Sequence, residues 1–222
     1  MSGKQSNKKY KLFIFDFDGT LGDTSECVVA SFQGALRDNK LPVADEKDIV
    51  HLMGISLPAV FQRLTNNALS NEMYDKLVHD YRQLYRVNLT KKTRSFPGVN
   101  TALQHIKANN GLCSIATSKK TEFAKLSCDY LKIDPFIDLY IGDDKVTNKK
   151  PHPEMLEYTL KELGVHKDDA AMIGDATTDI EMGNAIGMDT IAVTWGAHSV
   201  DMLKRAGPLY VISSADELRA FI

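Results

Sequence analysis

Two carboxylates stand one residue apart in Asp16-Phe17-Asp18-Gly19-Thr20, directly after a short apolar run. Further along lie Thr117-Ser118-Lys119, then Asn148-Lys149-Lys150-Pro151, then Asp175 followed by Asp179. Taken singly, each has an ordinary reading as a turn, a helix cap or an exposed charge. Taken together, their order places three acids, a hydroxyl and a lysine at the ends of successive elements. Like charges about 4 Å apart repel by roughly 4 kcal/mol at an effective dielectric near 20, so such a cluster calls for a cation. Hard oxygen ligands favour Mg²⁺, which keeps several waters and readily shares a phosphate oxygen. Lys150 and the Thr117 hydroxyl would then clamp other phosphate oxygens. The backbone amides of the Asp18-Gly19-Thr20 turn are expected to add donors. Asp16 could attack phosphorus and form an aspartyl phosphate, while Asp18 protonates the leaving oxygen and later activates water.

The elements that must position these groups follow from hydrophobic patterning. KLFIFD (11–16), LCSIAT (112–117), FIDLYIG (136–142), AAMIGD (170–175), DTIAVTW (189–195) and LYVISS (209–214) are short apolar runs of strand length. Helical stretches separate the later ones, at 100–111, 121–132, 152–164, 177–187 and 215–222, several of them ending at Gly. This alternation predicts an α/β fold with a doubly wound parallel sheet, whose ligands bind beyond the carboxyl ends of the strands. Between about 22 and 95 the alternation stops, and four helical patterns appear without a convincing strand. That segment reads as a helical domain inserted after the first strand. Residues 1–9 read as a flexible tail.

Composition narrows the function classes. The chain has 222 residues, 43% hydrophobic and 25% charged, enough to build a core. With 27 Lys and Arg against 29 Asp and Glu there is no global basic field, so nucleic-acid binding is not expected. No apolar run reaches the roughly 18 residues of a membrane helix, and the polar start MSGKQSNKKYK does not read as a secretory signal. Three cysteines, Cys27, Cys113 and Cys128, make an odd count without CxxC spacing, which argues against disulfides or zinc and fits a reducing cytoplasm. The expected partner is a small phosphorylated molecule, handled by a monomer or dimer.

DFDGT, then Thr at a strand end, then KP, then GDxxxD, resembles the haloacid dehalogenase superfamily and, more narrowly, its phosphoglycolate-phosphatase-like group. The resemblance implies a Rossmann-like core at 10–21 and 96–222, an all-helical cap at 22–95, and Mg²⁺-dependent hydrolysis through an aspartyl phosphate. It implies Asp16 as nucleophile and metal ligand, Asp18 as acid/base with its carbonyl on the metal, and Asp175 as a metal ligand. Asp179 would hold the metal's water shell or orient its partners, and Thr117 and Lys150 would bind phosphate. The acid at Asp18 favours phosphate esters or anhydrides over dehalogenation. Ser118 stands where close relatives usually carry Asn, and Ala176 where Ser is common.

For substrate reading, the expected loop is His51-Leu52-Met53-Gly54-Ile55-Ser56, with Arg63 one helix away and Gly54 permitting close backbone approach. Met73, Leu77, Tyr81, Leu84 and Tyr85 form a stripe at helical spacing that reads as core of the inserted domain. The favoured activity is a phosphatase for small phosphorylated metabolites, phosphoglycolate first. A sugar phosphomutase, an inorganic pyrophosphatase and a phospho-accepting receiver domain use related constellations.

Overall fold

The computed structural model of the chain describes residues 8–222. The expected tail falls largely outside the described residues. Lys8 and Lys9 lie against the core, Lys8 paired with Asp189 and Lys9 Nζ donating to the Ala220 carbonyl at 3.4 Å.

Six parallel strands form one sheet: β1 (Leu12–Phe15), β4 (Leu112–Ala116), β5 (Leu139–Ile141), β6 (Ala170–Gly174), β7 (Asp189–Val193) and β8 (Tyr210–Ile212), in spatial order β5-β4-β1-β6-β7-β8. The sequence LFIF explains why β1 is central. Phe13 and Phe15 project to one face, packing with α5 (Val99–Ala108), α6 (Thr121–Tyr130) and the C-terminal 3₁₀ turn at Ala215–Phe221. Leu12 and Ile14 project to the other, against α7 (Glu154–Leu163) and α8 (Thr177–Ala185). A strand covered on both faces needs apolar residues at every position, and all four are buried. After β7 a six-residue helix α9 (Val200–Arg205) precedes β8, an element too short for its pattern to stand out in the sequence.

Between β1 and α5 lie four helices: α1 (Ser25–Asp38), α2 (Glu46–His51), α3 (Leu57–Leu64) and α4 (Asn71–Lys92). They share a second core. In α4, Tyr74, Leu77, Val78, Tyr81, Tyr85 and Leu89 recur every three or four residues and bury one face, while Met73 and Leu84 are partly buried beside it. Phe32 of α1 meets Phe61 of α3 at 4.8 Å and Tyr81 of α4 at 4.5 Å between ring centroids. Phe123 of α6 joins the same cluster, so the helical layer packs on the core near the site. Where the sequence reading found no strand, two antiparallel pieces, β2 (Gly22–Asp23) and β3 (Arg94–Ser95), pair at the layer's entry and exit. Two-residue strands are too short to show alternation.

Candidate functional site

Strand β1 lies between β4 and β6, and the chain order reverses across it. Crossovers run outward on both sides there, leaving a crevice at the carboxyl ends. Asp16 follows β1, Thr117 follows β4 and Asp175 follows β6, so all three face that crevice's edge. Asp179 comes from the first turn of α8, where the helix N-terminus favours an acid and its Oδ2 accepts from the Ala176 amide at 3.1 Å.

Carboxylate oxygens of the buried Asp16, Asp175 and Asp179 lie within 4.8 Å of one another. Lys150 reaches into this group. Its Nζ is 2.6 Å from Asp179 Oδ1 and 3.0 Å from Asp16 Oδ1. The contact to Asp179 is a hydrogen bond and the one to Asp16 an ion pair, so one buried ammonium is shared between two carboxylates. Burial pushes the Asp16 carboxyl up to about 6, against the pull of Lys150. Burial, then the nearby Asp16 and Asp179, push Asp175 up to about 8. Lys150 moves the other way from what burial alone dictates, because Asp16 and Asp179 hold its ammonium above the usual lysine range.

Asp18 is kept apart from this cluster by its own partners. Thr24 Oγ1 donates to its Oδ1 at 2.6 Å, and Lys119 Nζ lies 2.9 Å from its Oδ2. The two acids of the DxD pair therefore sit in unlike surroundings. A cleft enclosing about 730 Å³, its open mouth included, is lined by Asp16, Asp18, Thr117 and Ser118 at its floor and by α1–α4 above.

Several expected substrate contacts are placed differently. Thr20 Oγ1 donates to Asp175 Oδ1 at 2.8 Å, so its hydroxyl orients an acid instead of facing the cleft. The Gly19 amide donates to the Gly22 carbonyl at 2.9 Å and the Thr20 amide to the Phe17 carbonyl at 3.3 Å. These amides are spent inside the turn, whereas those of Phe17 and Asp18 have no protein acceptor among the described residues. Gly19 is required for space. At φ +83° a Cβ there would stand 2.1 Å from Asp175 Oδ2. Ser118 Oγ donates to the Gly54 carbonyl at 2.8 Å, joining the end of β4 to the loop after α2. Gly54 lines the cleft at φ +98°, and its Cα side faces the small Ala176 so closely that a Cβ would fall 2.9 Å from the Ala176 methyl. Arg63 is not brought to the site: it is exposed on α3 and outside the cleft lining.

The sequence reading missed four positioning groups. Lys119 and Thr24 flank Asp18. The Ala197 amide donates to Asp175 Oδ2 at 2.7 Å, and Trp195 Nε1 donates to the Thr20 carbonyl at 3.1 Å. Lys119 follows Thr117-Ser118 directly, which was the available signal. The loop after β7 gave none.

A family model described as haloacid dehalogenase-like hydrolase matches residues 13–193. The chain is 34% identical over 209 residues to a probable phosphatase IndB of Dickeya dadantii, covering 93% of this chain and 91% of that protein. It is 27% identical over 209 residues to a pyrophosphatase PpaX of Bacillus pumilus, covering 94% of each. A crystal structure of a predicted phosphoglycolate phosphatase from Haemophilus somnus aligns with TM-score 0.89 at 23% identity, covering 98% of both chains, a likeness of fold. The reversed strand order, the acids at its crevice and a family match over most of the chain lead to one conclusion: the chain belongs to the haloacid dehalogenase-like hydrolases.

Proposed function

We propose that the chain is a Mg²⁺-dependent phosphatase that hydrolyses small phosphorylated metabolites through a phosphoryl group carried on Asp16. The observation that carries this reading is the cluster of three buried carboxylates, Asp16, Asp175 and Asp179, beside the cleft, with the single ammonium of Lys150 set against it. Three carboxylates facing one ammonium leave two negative charges unbalanced when all are ionised, a demand that a divalent cation meets. All-oxygen donors suit Mg²⁺. Asp16 and Asp175 would hold it together with the Asp18 carbonyl, which accepts no hydrogen bond among the described residues. Asp179, with both oxygens already bonded, acts instead by holding Lys150. When bound, Mg²⁺ neutralises the acids and withdraws charge from the phosphoryl group.

In the first step an Asp16 oxygen forms a bond to phosphorus as the bond to the leaving oxygen breaks, and protonated Asp18 gives that oxygen its proton. Lys150, the Thr117 hydroxyl and the Phe17 and Asp18 amides bind the phosphoryl oxygens. In the second step water attacks phosphorus and gives a proton to Asp18, and the Asp16 carboxylate leaves as inorganic phosphate forms. The helical layer at 22–95 acts as the cap that keeps bulk water from this exchange. The cytoplasm is the proposed location, in keeping with three free, buried cysteines.

The test is release of phosphate from a panel of monoesters and pyrophosphate with and without Mg²⁺. The relative named a pyrophosphatase is the reason for including the anhydride. Asp16→Asn should lose at least about a thousandfold in kcat. Equal activity of wild type and Asp16→Asn, or turnover indifferent to chelator, refutes the assignment.

A further inference from the structure

We propose that the leaving group of the physiological substrate is an uncharged alcohol with an apolar, ring-sized body, seated against Phe32 and Tyr81. This rests on the phosphatase reading and narrows it, displacing the phosphoglycolate-like expectation.

The cleft that opens at Asp18 continues into a wall made by Val28 and Phe32 of α1, Ile49 of α2, Met53, Val60 of α3 and Tyr81 of α4. The Phe32 and Tyr81 rings touch at 4.5 Å between centroids, and Tyr81 continues to Tyr85 at 5.9 Å. Both rings also anchor the core of the helical layer, so the wall is a fixed surface. Whatever is bonded through the leaving oxygen that Asp18 protonates lies in this space.

A carboxylate or second phosphate there would give up its hydration. It would need a fixed cation in return. Lys119 lines the cleft beside Asp18, to which it is committed at 2.9 Å, and it is stacked 4.1 Å from the Tyr85 ring centroid. Arg82 and Lys120, both half-exposed, share the lining with the carboxylate of Asp143. An apolar ring, by contrast, gains from displacing water at this wall. No hydrogen bond ties the Tyr81 hydroxyl to the protein among the described residues, leaving it for one polar substituent on the body.

The experiment measures kcat/KM with Mg²⁺ for benzyl phosphate, methyl phosphate, 2-phosphoglycolate and pyrophosphate. The first three leave as alkoxides of similar basicity, so their ratios read the wall more than the chemistry. Benzyl phosphate should exceed both methyl phosphate and 2-phosphoglycolate by about tenfold or more. Phe32→Ala should bring the benzyl-to-methyl ratio down by about tenfold. Because both rates come from one preparation, the ratio is independent of how much of the variant folds. Phe32→Leu, milder for the core, should lower it in the same direction. A wild-type preference for 2-phosphoglycolate or pyrophosphate overturns the inference and leaves the phosphatase reading standing. So does a benzyl preference that neither Phe32 variant changes. Absence of turnover with every compound refutes the phosphatase reading itself.

Discussion

Lys119 Nζ lies 2.9 Å from Asp18 Oδ2 while its ammonium rests 4.1 Å from the centre of the Tyr85 ring. The lysine comes from the loop after β4, the acid from the loop after β1 and the ring from α4, so one cation ties both sheet loops to the helical layer. Burial opposes the charge on Lys119, yet the facing Asp18 outweighs it and holds the ammonium well above its usual range. Removing one partner of such a pair strands the other away from water.

A double-mutant cycle isolates the pair. Asp18→Asn and Lys119→Met should each destabilise the protein, and the double variant should lose less than the sum, with a coupling of about 1–3 kcal/mol. The partners are 9% and 19% exposed, which argues for the lower half of that range. Denaturant unfolding in chelator gives the number. Additivity within about 0.5 kcal/mol would show that the contact is not energetically linked.

Asp175 sets the response of the metal-free protein to pH. Its folded carboxyl titrates at about 8 and that of Asp16 at about 6, both raised chiefly by burial. A carboxyl raised on folding contributes stability below its ordinary value, and that contribution is lost as pH rises through the folded value. His198 works in the opposite sense at lower pH, because burial depresses its imidazole below the usual range and stability is lost as it protonates. The unambiguous window is therefore pH 7 to 9, where Tm in chelator should fall. Asp175→Asn should flatten the slope, and Mg²⁺ should do the same by compensating the ionised acids. A Tm that climbs across this window in chelator would contradict the charge balance drawn above.

Much of this arrangement was legible before any coordinates, and the boundary has physical causes. β1 was readable because a strand buried on both faces must be apolar throughout, and Leu12-Phe13-Ile14-Phe15 is. Asp16, Thr117 and Asp175 were readable because each follows such a run directly. The role of Thr20 was not: the turn was expected to offer backbone amides, whereas the Thr20 hydroxyl serves Asp175, 155 positions away in sequence, a distance no local pattern bridges. Arg63 failed for a related reason. α3 is only eight residues long, and so short a helix does not declare which face meets the site. Tyr81 was read correctly as core of the inserted helices, but its second exposure, to the cleft beside Phe32, depends on how that layer sits over the sheet.

The Thr20–Asp175 bond predicts a variant that weakens metal use without touching a candidate ligand. Thr20→Val keeps the shape and removes the donor held 2.8 Å from Asp175 Oδ1. Loss of such an outer partner lowers metal affinity by about 10–100-fold. The Mg²⁺ concentration for half-maximal rate should rise by that factor while the rate at saturation changes less. An unchanged Mg²⁺ dependence would mean that the Ala197 amide, 2.7 Å from the other oxygen, is enough to orient the acid.

Ser118 and Gly54 supply the last prediction, because their 2.8 Å hydrogen bond crosses from the sheet's edge to the helical layer beside the cleft. Ser118 is half-buried, so loss of its hydroxyl costs about 1 kcal/mol of local fastening and little global stability. Ser118→Ala leaves Thr117, Lys150 and the acids in place while letting the Gly54 loop separate from the floor. The layer then closes less often on bound substrate, which acts on binding before chemistry. KM should rise about fivefold with kcat within twofold, and Tm should stay within about 3 °C. Gly54→Ala is a harsher perturbation of the same contact, since its φ of +98° and the 2.9 Å approach to Ala176 both resist a methyl group. It should raise KM further. If Ser118→Ala instead lowers kcat at constant KM, the hydroxyl serves the reacting phosphoryl group directly and the fastening role is wrong.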